Sequence, residues 1–177
     1  MSQNLVAVIP ALAKVNLGVT SPLMVNAMLA LSVIGIMVGA YVSARKSVNS
    51  VKVNNIYTGS TTITVCAILV PVVSTLSFIP NSTALIIVST LILIFGVGAG
   101  MMLVPLNALI QAHSAKDGLG SVLAGKNWIQ NMAMIGLLLL TVLLAKSNVS
   151  SVYILYLNAL IAVVGFTVVL KRLKAIL

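Results

Sequence analysis

Residues 84–110, ALIIVSTLILIFGVGAGMMLVPLNALI, decide the fold. The run carries no charge and exceeds the roughly 20 apolar residues that a helix needs to cross about 30 Å of hydrocarbon. It is too long for a barrel strand and does not alternate as one. Working outward, the same reading repeats. A tight PNST turn (80–83) precedes the run, and before it lies a span over 56–79. A basic loop, ARKSVNSVKVNN (44–55), separates that from a span over 22–43. Towards the C-terminus come the glycine-bearing loop HSAKDGLGSVLAGK (113–126) and a span over 127–145. The short KSNVSS turn, a span over 152–170 and the basic tail KRLKAIL follow.

Composition agrees. Of 177 residues 60% are hydrophobic and only 6% charged, where a soluble domain carries about a quarter charged residues. That excludes a water-soluble globular domain. The apolar content excludes a disordered tail. The class left is an integral membrane protein. The net charge of +9 does not point to nucleic acid, because the cations are scattered among apolar runs and form no basic face. Cys66 is the single cysteine, so it forms no intrachain disulfide and reads as a small buried hydrophobe. The start, MSQNLVAVIPALAK, has no basic region ahead of its apolar stretch and makes a poor signal peptide.

Residues 5–17 are too short to span: at 1.5 Å per residue they give about 20 Å of helix. Pro10 lies inside this stretch and Lys14 near its end. Two readings fit, the last part of a spanning helix and a short interfacial or re-entrant segment. Charge fixes the orientation of the rest. Cytoplasmic loops collect Lys and Arg. Eight of the ten cations (Arg45, Lys46, Lys52, Lys116, Lys126, Lys171, Arg172, Lys174) fall on one side, and only Lys14 and Lys146 on the other. The C-terminus is therefore predicted to be cytoplasmic.

Signals for catalysis are nearly absent, and the chain does not read as an enzyme. No transmembrane Asp or Glu occurs, and no His/Cys cluster has metal spacing, so no metal or cofactor is expected. His113 and Asp117 stand at i,i+4, but in a loop. No P-loop is present. Proton relays in membranes use buried ionisable groups, and this chain supplies none.

What remains are small residues, amides and prolines. Ser32, Gly35, Gly39 and Ser43 share one helical face, and Gly96 and Gly100 form a GxxxG pair. Such faces let backbones approach closely. Static packing and a rocking, gating interface both fit. Asn127, Gln130, Asn131 and Met134 stand at i, i+3, i+4 and i+7, on one face. Asn107 and Gln111 are i,i+4 partners just after Pro105, Asn26 lies early in the first full span, and Asn158 lies in the last. An amide facing lipid leaves donors and acceptors unpaired at several kcal/mol each. These faces are expected to look into the bundle or a wet cavity, as interhelical glue or as a polar pathway. Pro71 and Pro105 sit inside spans and remove a backbone bond there. Trp128, Tyr153 and Tyr156 lie near helix ends, as interfacial aromatics do.

The run GVGAGMMLVPLNALIQAHS (96–114), followed by GSVLAGKNWIQNMAMIGLLLL (120–140), resembles the tenth and eleventh helices of the bacterial lysophospholipid transporters of the major facilitator superfamily. LGVTSPLMVNAMLALSVIGIMVGA (17–40) resembles the end of that family's seventh helix and its eighth. VPLNALIQ and GKNWIQN are the most specific pieces. The resemblance implies an all-α membrane fold, namely the C-terminal six-helix half of a facilitator with its first helix truncated. It implies a flippase that moves lysophospholipids, chiefly lysophosphatidylethanolamine, across the bacterial inner membrane for re-acylation by an acyltransferase. Asn26, Asn107, Gln111, Asn127, Gln130 and Asn131 fall on matching positions and would line the substrate pathway, with the amide face 127–131, Asn107 and Gln111 binding the head group. Met101, Met102 and Met134 would accept the acyl chain. The partners implied are lysophospholipid, membrane lipids and a separately encoded N-terminal half. The chain departs from the family in lacking an N-terminal half, an acyltransferase portion and the acid usual in the loop after residue 43. Other facilitator cargo, such as a drug or metabolite, and a split-gene or remnant fragment remain the alternative expectations.

Overall fold

The computed structural model describes residues 8–10, 12–14, 18–19, 21–46, 53–76, 79–114 and 118–174. Helix accounts for 92% of them and no strand occurs among them, so the fold class is all-α. Five helices follow one another: α1 (Pro22–Lys46), α2 (Val53–Thr75), α3 (Asn81–His113), α4 (Leu119–Lys146) and α5 (Ser151–Lys174). Each contains a segment long and apolar enough to cross a membrane. Large apolar side chains face outward along them, among them Leu23, Met37, Ile86, Leu139 and Leu160, as a lipid-facing surface requires.

Every helix differs from its expected span by a few residues at one end or both, α3 for instance starting at Asn81 inside the expected PNST turn, and two boundaries matter most here. α2 stops at Thr75, not at residue 79. Pro80 disfavours helical backbone in the residue before it, and the chain closes with turn bonds from Leu76 N–H to the Val73 carbonyl and from Ile79 N–H to the Leu76 carbonyl. α4 begins at Leu119, eight residues before the expected 127. The stretch GLGSVLAGK looked like a loop because of its glycines. Gly120 and Gly125 sit inside the helix instead, at a propensity cost of about 1 kcal/mol each. The link between α3 and α4 is correspondingly short, and Asp117 lies within it, outside the described residues.

α3 is the hub. α1 packs along one side of it and α2 along another, α5 packs on α2, and α4 touches α5 only slightly. Val88, Ile92 and Phe95 of α3 join Met28 of α1, Cys66 and Val70 of α2, and Leu155 and Ala159 of α5 in one apolar core. Of the stretch 5–17, the described residues 8–10 and 12–14 are helical, and Val8, Ile9, Leu12 and Ala13 are buried in that same core. They therefore belong to the bundle interior. The rest of that stretch lies outside the described residues.

The α1–α3 contact is backbone on backbone. A Cβ added at Gly35 would collide with the Leu93 carbonyl, one at Gly39 with the Val97 carbonyl, one at Gly96 with the Ser32 carbonyl and one at Gly100 with the Ile36 carbonyl. Positions rise together along both helices, so α1 and α3 run the same way. α2 runs opposite: a Cβ at Gly59 would lie 2.7 Å from the Gly98 carbonyl and one at Gly98 would meet Thr62. Tyr57, near the start of α2, meets Phe166, near the end of α5, with ring centroids 6.1 Å apart. α5 is therefore antiparallel to α2. The chain crosses back and forth, and Arg45 and Lys171 share one end of the bundle. At that end the Arg45 guanidinium sits 4.8 Å over the Tyr41 ring, an interfacial pairing of cation and aromatic.

α4 and α5 are joined by a tight turn. Asn148 adopts φ 58; its N–H reaches the Ala145 carbonyl at 3.1 Å, and Val149 N–H reaches the Leu144 carbonyl at 3.1 Å. This is the Schellman pattern of helix termination, with Asn in the left-handed position it tolerates. Leu144 and Val149, the apolar pair of that motif, both pack against the core.

Candidate functional site

The threonine hydroxyls of α2 are satisfied locally. Its sequence TGSTTIT is rich in hydroxyls, which in a bilayer need partners. Thr61 donates to the Tyr57 carbonyl (2.9 Å), Thr62 to Thr58 (2.8 Å) and Thr64 to Ser60 (2.9 Å). Each hydroxyl turns back onto its own helix, so the methyl groups of these threonines are left to face neighbours.

Three helices meet at a buried polar relay. Asn55 Nδ2 donates to Ser43 Oγ at 3.3 Å, and Ser43 Oγ–H donates to the Met101 carbonyl at 3.3 Å. Both side chains are buried, Ser43 completely. The Met101 carbonyl is the one that loses its helical donor, because residue 105, four positions on, is a proline inside α3. Ser43 of α1 replaces the missing N–H. The sequence reading noted Ser43 only as small and missed Asn55 altogether. The signal was there: Asn55 and Gly59 stand at i,i+4, as do Ser60 and Thr64.

Beside this relay α2, α3 and α5 enclose a cleft of about 370 Å³. Its walls are mostly apolar: Ile63 from α2, Phe95, Met102 and Leu103 from α3, Phe166 and Val169 from α5. Ser60 and Thr64 also border it. The Ser60 hydroxyl is directed to Met102 Sδ at 3.4 Å and the Thr64 hydroxyl to its own helix, so neither makes the wall polar. The one amide in the lining is Gln130, contributed by α4.

α4 is the exceptional helix. No residue on it is buried. It meets the rest of the chain near its start, where Lys126 Nζ donates to Asn107 Oδ1 of α3, and near its end, at Leu144. The amides Asn127, Gln130 and Asn131 are exposed, with Met134 half-buried beside them. The inward-facing amide face expected from the sequence thus meets little within this chain; only Gln130 reaches the cleft. The physical reason is that α4 packs loosely: half-buried residues such as Lys126, Met134, Leu137, Thr141 and Leu144 follow one helical stripe, but none of them is fully buried, and Asn127 and Asn131 lie off that stripe.

The remaining candidate residues distribute as follows. Asn107 is half-buried and joined to Lys126, while Gln111, one turn further along α3, is exposed. Asn26 is exposed on α1. Asn158 is buried in α5. Met102 lines the cleft; Met101 is half-buried and outside the lining. Gly35, Gly39, Gly96 and Gly100 form the α1–α3 contact, and Pro105 is buried in α3. His113 ends α3, with its Nδ1 3.0 Å from the Leu109 carbonyl, and Trp128 is exposed on α4. Comparison with family models, with curated proteins and with solved structures gave no match.

Proposed function

We propose that this chain is the C-terminal half of a bacterial inner-membrane transporter that flips lysophospholipids, with its C-terminus in the cytoplasm. The observation that carries the reading is α4. A membrane-crossing helix that presents Asn127, Gln130 and Asn131 while burying no residue requires a polar or wet surface opposite it, since amides facing lipid cost several kcal/mol each. A second six-helix half laid against that face turns it into one wall of a pathway, as in transporters built from repeats with substrate held between them. The resemblance of VPLNALIQ and GKNWIQN to the lysophospholipid transporters supports lysophospholipid as the cargo. The amides of α4 with Asn107 and Gln111 then handle the head group, and the apolar cleft handles the acyl chain. The basic end of the bundle faces the cytoplasm, where a re-acylating acyltransferase meets the product.

Asn131→Leu tests the assignment, assayed in cells that also make the N-terminal half. The substitution is expected to lower uptake of radiolabelled lysophosphatidylethanolamine by about tenfold or more while leaving the amount of inserted protein unchanged. Unchanged uptake would remove the amide face from the pathway.

A further inference from the structure

We infer that the outer face of α1 is a docking surface for an anionic phospholipid of the surrounding bilayer, with Arg45 reading its phosphate. The surface lies apart from the cleft, to which α1 contributes no lining residue, and it does not depend on the transport reading. Helical spacing divides α1 into two faces. Gly35, Gly39 and Ser43 turn to α3. Ile34, Met37, Val38, Tyr41 and Arg45 stand at i, i+3, i+4, i+7 and i+11 on the opposite face, and all of them are exposed. This stripe changes character along its length as a phospholipid does. Ile34, Met37 and Val38 are apolar, Tyr41 is amphipathic and Arg45 is charged. From Ile34 to Arg45 the helix rises about 16 Å at 1.5 Å per residue, which matches one leaflet, half of the roughly 30 Å hydrocarbon core.

The head-group end is built by two side chains. The Arg45 guanidinium lies 4.8 Å over the Tyr41 ring. Stacking there holds a planar fork of donors where the helix leaves the hydrocarbon, and that fork matches phosphate oxygens. No acid occurs among the described residues, and the residues that follow Lys46, SVNSVK, contain none. A lipid phosphate supplies the counter-charge that these residues do not. The net charge of the head group matters as well. The loops and tail of this end carry eight of the ten cations. They repel the ammonium that phosphatidylethanolamine carries beside its phosphate, whereas phosphatidylglycerol carries none.

The test is quenching of a single tryptophan by brominated lipids, with the full chain in phosphatidylcholine vesicles. Trp128, the one native tryptophan, is removed as Trp128→Phe. The reporter is then introduced as Met37→Trp or, in a second version, as Leu23→Trp. Leu23 is exposed on the same face as Tyr41, five turns earlier and roughly 33 Å from Arg45, so it samples the other leaflet. Brominated phosphatidylglycerol is expected to be preferred over brominated phosphatidylcholine about fivefold at position 37, as one added cation near an anionic head group provides. No preference is expected at position 23, and none for brominated phosphatidylethanolamine at either position. Arg45→Gln should abolish the preference at position 37 with the circular dichroism unchanged. The comparison of the two positions in the parent chain decides the matter even where Arg45→Gln fails to fold. Persistence of the preference in 50 mM sodium phosphate identifies the bilayer lipid as the occupant. Its loss in phosphate but not in chloride of equal ionic strength would give Arg45 to a free anion and overturn the assignment. Equal preference at positions 23 and 37, equal retention of phosphatidylethanolamine, or an unaltered preference in folded Arg45→Gln would overturn it too.

Discussion

Ser43 completes a hydrogen bond that Pro105 removes, and that makes a coupled pair of substitutions diagnostic. Ser43→Ala deletes the donor to the Met101 carbonyl and the acceptor of the Asn55 amide, both at 3.3 Å in a buried setting. Interhelical hydrogen bonds in membranes contribute about 0.6 kcal/mol on average and up to about 1.7. With two of them lost, Ser43→Ala is expected to destabilise the bundle by about 1–2 kcal/mol. In a Pro105→Ala background the N–H of residue 105 returns, and the Met101 carbonyl regains its own helical partner. Ser43→Ala then forfeits only the bond to Asn55, and its cost should fall by about 0.5–1 kcal/mol. The assay is unfolding of the purified chain by dodecyl sulfate in mixed micelles, followed by far-ultraviolet circular dichroism, for the parent, both single variants and the double variant. Equal costs of Ser43→Ala in the two backgrounds, within about 0.3 kcal/mol, would refute the claim that Ser43 stands in for the missing donor.

Other outcomes follow from the same geometry. Gly39→Ala should destabilise by at least about 1–3 kcal/mol, since its Cβ meets the Val97 backbone, whereas Gly136→Ala, with nothing within 4 Å, should be neutral or stabilising by up to about 1 kcal/mol; the same unfolding assay reads both. Cys66, buried in the core, should resist maleimide labelling in native membranes and react fully once the protein is unfolded in dodecyl sulfate. Asn148→Val should cost about 1–2 kcal/mol through strain at φ 58, while Asn148→Gly should preserve stability. A fluorescent-protein fusion at the C-terminus should fluoresce, and an alkaline-phosphatase fusion at the same place should be inactive, if eight cations orient the chain with its basic end in the cytoplasm.

Much of the fold was legible because the bilayer reduces it to long apolar runs, and five such runs stand out between polar punctuation. The boundaries at 119 and 75 were not, for local reasons. Gly120 and Gly125 look like loop residues until nothing is seen to crowd them. Pro80 acts several residues upstream of itself. The glycine pattern at 35, 39, 96 and 100 could be read as two small faces, but sequence spacing does not say that they face each other; that depends on α1 and α3 running the same way. The cleft was illegible. Its walls come from three helices far apart in sequence, and Ile63, Phe95 and Phe166 look like any other apolar residue of a span. The Ser43–Met101 link joins positions 58 apart in sequence and depends on a carbonyl, which no side-chain pattern reveals. Lys126 was counted as a topological charge, and only its bond to Asn107 relates it to the cleft. The amide run on α4 was visible, yet of its members only Gln130 reaches the described bundle, at the cleft.

That uncovered face makes reconstitution of transport the most direct test of the central claim. The measurement is uptake of radiolabelled lysophosphatidylethanolamine into the inner leaflet of proteoliposomes holding this chain alone, a six-helix N-terminal facilitator half alone, or both. The account predicts inward movement with both halves together and background levels with either alone. Background levels with both halves assembled, or undiminished movement by both when Asn127, Gln130 and Asn131 are replaced by leucine, would contradict it.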